Sequence, residues 1–154
     1  MITLQRGDKA PGFTGVNQDG EPISLENFAG KKLILYFYPK DNTPGCTAEA
    51  CNLNDNYSGW IARGFDVVGV SPDTTRSHQG FIQKYGLKFN LIADPDHLIM
   101  EKYGVWGEKK MYGKSYMGVL RTTFVIDEKG FISEVFTSVD TKNHSLQIEK
   151  TLNI

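Results

Sequence analysis

The sequence predicts an α/β sandwich: a mixed central sheet flanked by helices, with a hairpin extension at the N-terminus. Three observations predict it. Residues 32–38 are apolar with almost no polar interruption, as in a strand covered on both faces. From there to Gly104, strand and helix patterns alternate, which is how crossover units build a largely parallel sheet. After residue 118 two strand patterns meet across a tight turn, so the sheet closes on an antiparallel hairpin.

The chain has 154 residues, enough for one domain, 1–154, around a single core. Its apolar fraction of 40% and charged fraction of 23% are those of ordinary soluble proteins. A net charge of −1 gives no electrostatic case for nucleic acid or an anionic membrane as partner. No apolar run approaches the roughly 20 residues of a membrane span. The opening residues 1–8 lack a charged leader followed by an apolar block, so a cytoplasmic protein is expected.

Taken in order, residues 13–16 and 22–25 flank Asn17-Gln18-Asp19-Gly20, whose Asp-Gly pair signals a hairpin turn. Ser24 is placed to cap a short helix through Asn27, and Gly30 to end it. The strand over 32–38 stops at Pro39, which has no N–H for the ladder. Ala50, Leu53, Tyr57, Trp60 and Ile61 recur at helical spacing, predicting a helix over 47–63 closed by Gly64. Residues 65–71 form a second buried strand, 74–85 a helix closed by Gly86, and 89–93 a third strand. Asp94-Pro95-Asp96 starts a further helix that carries Leu98, Ile99, Met100 and Tyr103. Residues 106–117 are polar and Lys- and Gly-rich, an exposed loop or ribbon. A long strand over 119–127 turns at Glu128-Lys129-Gly130 into a strand over 131–136, and a final helix spans 143–152. The order of elements resembles the thioredoxin fold with an N-terminal extension, which by itself assigns no function.

The chemistry concentrates in residues 38–51, which hold both cysteines, Cys46 and Cys51. Cys46 falls at the start of a helix, where free N–H groups and the positive end of the dipole stabilise a thiolate. A cysteine in that place is equally well a packing residue. The three histidines, His78, His97 and His144, have no short ligand spacing to the cysteines, so no metal site is expected.

Pro39-x-x-x-Thr43-x-x-Cys46, with Glu49 three residues on, resembles the active-site motif of the peroxiredoxins, thiol peroxidases on a thioredoxin-like fold. The longer stretch Thr43-Pro44-Gly45-Cys46-Thr47-x-Glu49, with Cys51 after it, is similar to the Q-type branch, also called bacterioferritin-comigratory protein. Arg121-Thr122-Thr123-Phe124-Val125-Ile126-Asp127 resembles the strand that supplies that family's arginine, and Gly7-Asp8-Lys9-Ala10-Pro11-x-Phe13 its opening. Gly12 departs from the acidic or small residue usual there.

The resemblance implies a peroxidase that needs no cofactor and reduces hydrogen peroxide and organic hydroperoxides. Cys46 would attack the O–O bond and become a sulfenic acid. Arg121 would stabilise the thiolate and hold the peroxide, Thr43 would hydrogen-bond it, Pro39 would shield the site, and Glu49 would orient Arg121. Cys51 would close an intramolecular disulfide, reopened by thioredoxin or a glutaredoxin-like donor. On one regular helix, Cα atoms five residues apart lie about 8.7 Å from each other, beyond the ~7 Å limit for a disulfide. The first turns of the helix must therefore unwind in each cycle. The chain has no Cys-x-x-Cys, which argues against a general disulfide oxidoreductase. Relatives of this branch are often monomers, and the near-neutral chain suggests the same. The competing reading is a redox-sensing or binding module that uses Cys46 and Cys51 as a switch without turnover.

Overall fold

The structure is a computed structural model describing residues 2–154; Met1, where the opening segment begins, lies outside them. β1 (Thr14–Val16) and β2 (Pro22–Ser24) form the N-terminal hairpin, and a 3₁₀ turn, Leu25–Phe28, follows in place of the expected short helix. Asn27 holds that turn by accepting the Ser24 N–H on its side chain at 2.8 Å. β3 is Lys32–Phe37, α1 Pro44–Asp55, α2 Tyr57–Ala62, β4 Phe65–Ser71, α3 Thr75–Tyr85 and β5 Asn90–Ala93. α4 (Leu98–Lys102), β6 (Trp106–Met111), β7 (Lys114–Val119), β8 (Thr122–Ile126), β9 (Ile132–Phe136) and α5 (His144–Leu152) complete the chain.

The main sheet has the order β2-β1-β5-β4-β3-β8-β9. β3 lies parallel to β4, and β4 to β5; β8 runs antiparallel to β3, and β9 to β8. This is the expected mixed sheet, and β3 is covered on both faces because of where it lies in it. Leu33, Leu35 and Phe37 pack on one side with Val68, Val70, Tyr103 and Phe124. Ile34, Tyr36 and Tyr38 pack on the other with Ala50, Leu53, Trp60, Phe81 and Ile148. The alternation of the strand thus assigns one layer to α4 and the other to α1, α2, α3 and α5. Gly69 on β4 is needed for close approach: a Cβ there would lie 2.8 Å from Tyr36 Cζ and from Leu91 Cδ2.

Three expectations are corrected. The helix read over 47–63 is two, broken at Asn56. The Asn52 carbonyl accepts the Asn56 side-chain amide at 2.8 Å, while the Asn56 N–H turns to Leu53 at 3.3 Å, so side chain replaces backbone in the ladder. The helix read from Asp94 begins only at Leu98, because the Asp94 carboxylate reaches forward to the N–H groups of Ile99 and Met100. The long strand read over 119–127 is also two. β7 pairs with β6 in a separate ribbon, turned by Tyr112-Gly113 at φ 52 and 75, and β8 pairs with β3. Between them the Leu120 N–H turns away to the Val105 carbonyl at 2.7 Å. Arg121 therefore sits in the break, where the chain changes sheets, and not within a buried strand.

Candidate active site

The site forms where β3 ends and α1 begins. Pro39 closes the strand, and residues 38–43 cross to the helix in a loop held from beneath by α3. Asp41, nearly buried, accepts hydrogen bonds from Tyr38 Oη (2.5 Å) and Ser77 Oγ (2.8 Å) and pairs with His78 Nδ1 (2.7 Å). His78 Nε2 faces the Ile92 carbonyl at 3.0 Å, and the Asp41 N–H donates to Asp73 at 2.8 Å. Asn42, in the left-handed region at φ 60, accepts from Tyr85 Oη at 3.0 Å. Asp41, Asp73 and His78 bring ligand atoms within 4.8 Å of one another, the kind of grouping a cation uses. These atoms are already engaged with protein partners, so the cluster works as a clamp on the loop.

Thr43 is the N-cap residue of α1 and Pro44 its first residue, a position where a missing N–H costs nothing. The Thr43 hydroxyl donates to the Lys40 carbonyl at 2.8 Å and does not cap the helix. The first helical bond runs from the Thr47 N–H to the Thr43 carbonyl, leaving the N–H groups of Gly45 and Cys46 without helical acceptors. Cys46 sits over this positive helix end with 1% of its surface exposed.

Arg121 arrives from the far break between β7 and β8. Its Nη2 donates to Cys46 Sγ at 3.3 Å and its Nη1 to Glu49 Oε1 at 2.7 Å. It lies against the first turn of α1: a Cβ on Gly45 would be 3.4 Å from Nη2. Burial works against the guanidinium charge, but Glu49 and Cys46 offset that and raise its pKa further. The Arg121 side chain is 24% exposed and opens to a shallow depression lined by Glu108, Lys109, Leu120 and Thr137. A second cavity of 690 Å³ lies at the other end of β3, under the N-terminal hairpin, and holds none of these residues.

Glu49 is fully buried, and burial raises its pKa to about 7 although Arg121 acts to lower it. Cys51 is half-buried on α1, its thiol pushed up first by burial and then by Asp55. Both cysteines are free thiols on one continuous helix. Of the six expected site residues, the structure gathers Cys46, Glu49 and Arg121 into hydrogen-bonded contact. Thr43 and Pro39 flank them in the loop, and Cys51 lies apart, further along α1.

Sequence reasoning missed His144, Tyr36 and Asp41. His144 comes from α5 to stand 3.7 Å from Glu49 Oε2, and the Tyr36 hydroxyl is buried on the same layer. Asp41 lies within the stretch 38–51 but belongs to no motif there; only a guess at the sheet's facing pattern would have found Tyr36, and nothing would have found His144.

The AhpC/TSA family profile matches residues 6–135. The chain belongs to that family. Peroxiredoxin Bcp of Escherichia coli is 45% identical over 144 residues, covering 94% of this chain and 92% of that protein. A bcp peroxiredoxin of Coxiella burnetii is 47% identical over 147 residues, covering 96% and 97%. Among solved structures, peroxiredoxin Q of Xanthomonas campestris superimposes with a TM-score of 0.85 at 33% identity, covering 92% of this chain and 89% of that one. A PrxQ variant of Xylella fastidiosa gives 0.91 at 29%, covering 99% and 98%. The chain is thus a peroxiredoxin of the Bcp/Q kind, on the thioredoxin-like fold expected from its order of elements. No helix of the described residues is long and apolar enough to cross a membrane.

Proposed function

We propose that this peroxiredoxin is a two-cysteine thiol peroxidase in which Cys46 reacts and Cys51 resolves. The observation that carries the reading is the Arg121 fork, with one nitrogen on Cys46 Sγ and the other on Glu49. A fixed cation beside sulfur favours thiolate, and the same donors can follow charge onto a departing oxygen. The Sγ–O bond forms as the O–O bond breaks, giving a Cys46 sulfenic acid and an alkoxide that leaves as water or alcohol. Thr43 already gives its proton to Lys40, so its oxygen is free to accept the peroxide O–H. Pro39 keeps the loop out of the ladder and limits water at the sulfur.

Cys51 then attacks the sulfenic sulfur, water leaves, and the disulfide forms. The helix must open first, since the two Cα atoms stand about 8.7 Å apart on regular geometry. Burial and then Asp55 push the Cys51 thiol up, while the Arg121 cation contacts only Cys46 Sγ, which favours Cys46 as the nucleophile. A thioredoxin or glutaredoxin-like dithiol would return both cysteines to thiols in the cytoplasm, with the protein acting as a monomer. The substrate class extends to organic hydroperoxides, in keeping with the alkyl peroxide reduction for which a Xanthomonas campestris relative is described.

A thioredoxin-coupled peroxide assay tests this. Turnover is expected in the native protein and none in Cys46→Ser, while Cys51→Ser consumes one peroxide equivalent and stalls. Oxidation of Cys46 without turnover would favour the redox-sensing reading. Sustained turnover in Cys51→Ser would remove Cys51 as the resolving residue.

A further inference from the structure

Two acids and one permanent cation meet in the buried site. Arg121 contacts Cys46 Sγ at 3.3 Å and Glu49 Oε1 at 2.7 Å. If both acids ionised, two negative charges would face one positive charge away from water, which a buried site disfavours. One proton must therefore stay on one of them. Glu49 Oε2 shows where: it is buried and has no hydrogen-bond partner. A carboxylate oxygen without a donor is costly to ionise, whereas a protonated one fills its own need.

What faces Oε2 decides the matter. His144 Nε2 stands 3.7 Å away, and its tautomer can be read from its neighbours. Gln147 donates its amide to the Ser138 carbonyl at 2.7 Å, so its oxygen is the acceptor; it takes the Asp140 N–H at 3.0 Å and faces His144 Nδ1 at 2.9 Å. Nδ1 therefore carries the proton. Nε2 is then a bare lone pair, and it accepts the Thr123 hydroxyl at 2.8 Å. The ring is completely buried, and burial lowers its pKa to about 4, so it stays neutral and forms no ion pair with Glu49. With no proton on Nε2, the ring offers Oε2 no donor, so the ionised carboxylate goes unsupported there and the protonated one is favoured.

We propose that Cys46 and Glu49 share a single dissociable proton across Arg121, and that His144 is the positioning residue that places it on Glu49 and leaves Cys46 as thiolate. The other groups facing the pair are the Tyr36 hydroxyl, kept neutral by burial, and Asp140, which lies beyond His144. The inference rests on the reading of Cys46 as the reacting thiol, and it completes the proton balance of that reaction. Thiolate, hydroperoxide and protonated Glu49 give sulfenic acid, alcohol and ionised Glu49. The site carries the same net charge before and after, and the proton needed by the departing oxygen is already inside.

The test reads protonation and not turnover, so it stands apart from the fate of the peroxidase reading. In a Cys51→Ser background, thiolate absorbance at Cys46 is followed against pH, with Cys46→Ser as the blank. The parent should titrate in two steps, as coupled acids do. Glu49→Gln keeps the oxygen that accepts from Arg121 and stands in for the protonated acid, so it should leave the first step in place and abolish the second. His144→Gln, which can turn an N–H toward Oε2, should move the midpoint up. The infrared band of a protonated buried carboxyl should be present at neutral pH in the parent, absent in Glu49→Gln and weakened in Cys46→Ser. A second step that survives in Glu49→Gln, or a first step that rises by about a unit or more, would overturn the proposal, leaving Glu49 as a tether for Arg121. A carboxyl band indifferent to Cys46 would do the same without any His144 variant.

Discussion

Arg121 does what no lysine could do in its place. Its planar fork reaches sulfur and carboxylate at once, at 3.3 Å and 2.7 Å, while an ammonium is a single point of charge on a flexible stem. Arg121→Lys should therefore lose the simultaneous contact even though charge is kept. Sulfenic acid formation in that variant, followed by stopped flow, should slow by about 10²–10³, the range for removing one donor to a developing oxyanion. A loss under tenfold would mean that charge alone suffices. Cys46, Thr43 and Arg121 were legible in the sequence because each belongs to a short motif with fixed spacing. Glu49 was legible as an acid beside Arg121, but its unpartnered oxygen was not. His144 was invisible, since a histidine 95 positions after Glu49 has no pattern that ties it to the site.

At the scale of elements, α1 has two duties that conflict. Under the proposed mechanism it is folded to present its N-terminus to Cys46 and opens to let Cys51 arrive. Its far half is anchored by Asn52, whose side chain accepts the Ser145 N–H at 2.7 Å and donates to the Lys142 carbonyl at 3.0 Å. The near half has its main external tie through Arg121 to Cys46 and Glu49, and oxidation of Cys46 alters that tie. Unwinding on disulfide formation should thus run from Pro44 to Cys51 and stop at Asn52. Amide exchange of the dithiol and disulfide forms would show it: protection lost before residue 52 and kept after it. Equal protection across 44–51 in both forms would sink the idea. The break at Asn56 belongs to the same region, and the sequence hid it. Helical periodicity continues through Trp60, and only the side chains that claim the Asn52 carbonyl interrupt the backbone.

Across the whole molecule, two buried groups respond to pH with opposite sign. Glu49, raised to about 7 from an unfolded value near 4.5, makes the fold more stable as pH falls from 7 to 4.5, because the native state then binds the extra proton. His144, lowered to about 4 from 6.5, makes it less stable as pH falls across 6.5 to 4, because the unfolded chain binds the proton first. Each full shift corresponds to about 3 kcal/mol, so the two largely cancel in the native protein. Glu49→Gln should then be distinctly acid-sensitive between pH 6.5 and 4, and His144→Phe should gain stability over pH 7 to 4.5. Urea melts at several pH values measure both slopes. Parallel slopes in the two variants would show that these groups are not the ones titrating.

The sequence by itself determined the layers and pointed to the Cys46 thiol. Apolar runs such as 32–38, short and stopped by a proline, read as buried strands, glycines such as Gly86 at φ 64 end helices, and the Thr43–Cys46 spacing places a thiol on a helix start. These are local rules, carried by residues a few positions apart. The tertiary structure alone decided where the 119–127 run would break, since that depends on β7 and β8 choosing different partners. It alone decided that Arg121 would leave the ladder at that break and that α5 would bring His144 against Glu49. Those contacts span more than seventy residues of chain, and they arise from pairing polar groups that the fold has already buried, which has no period to read.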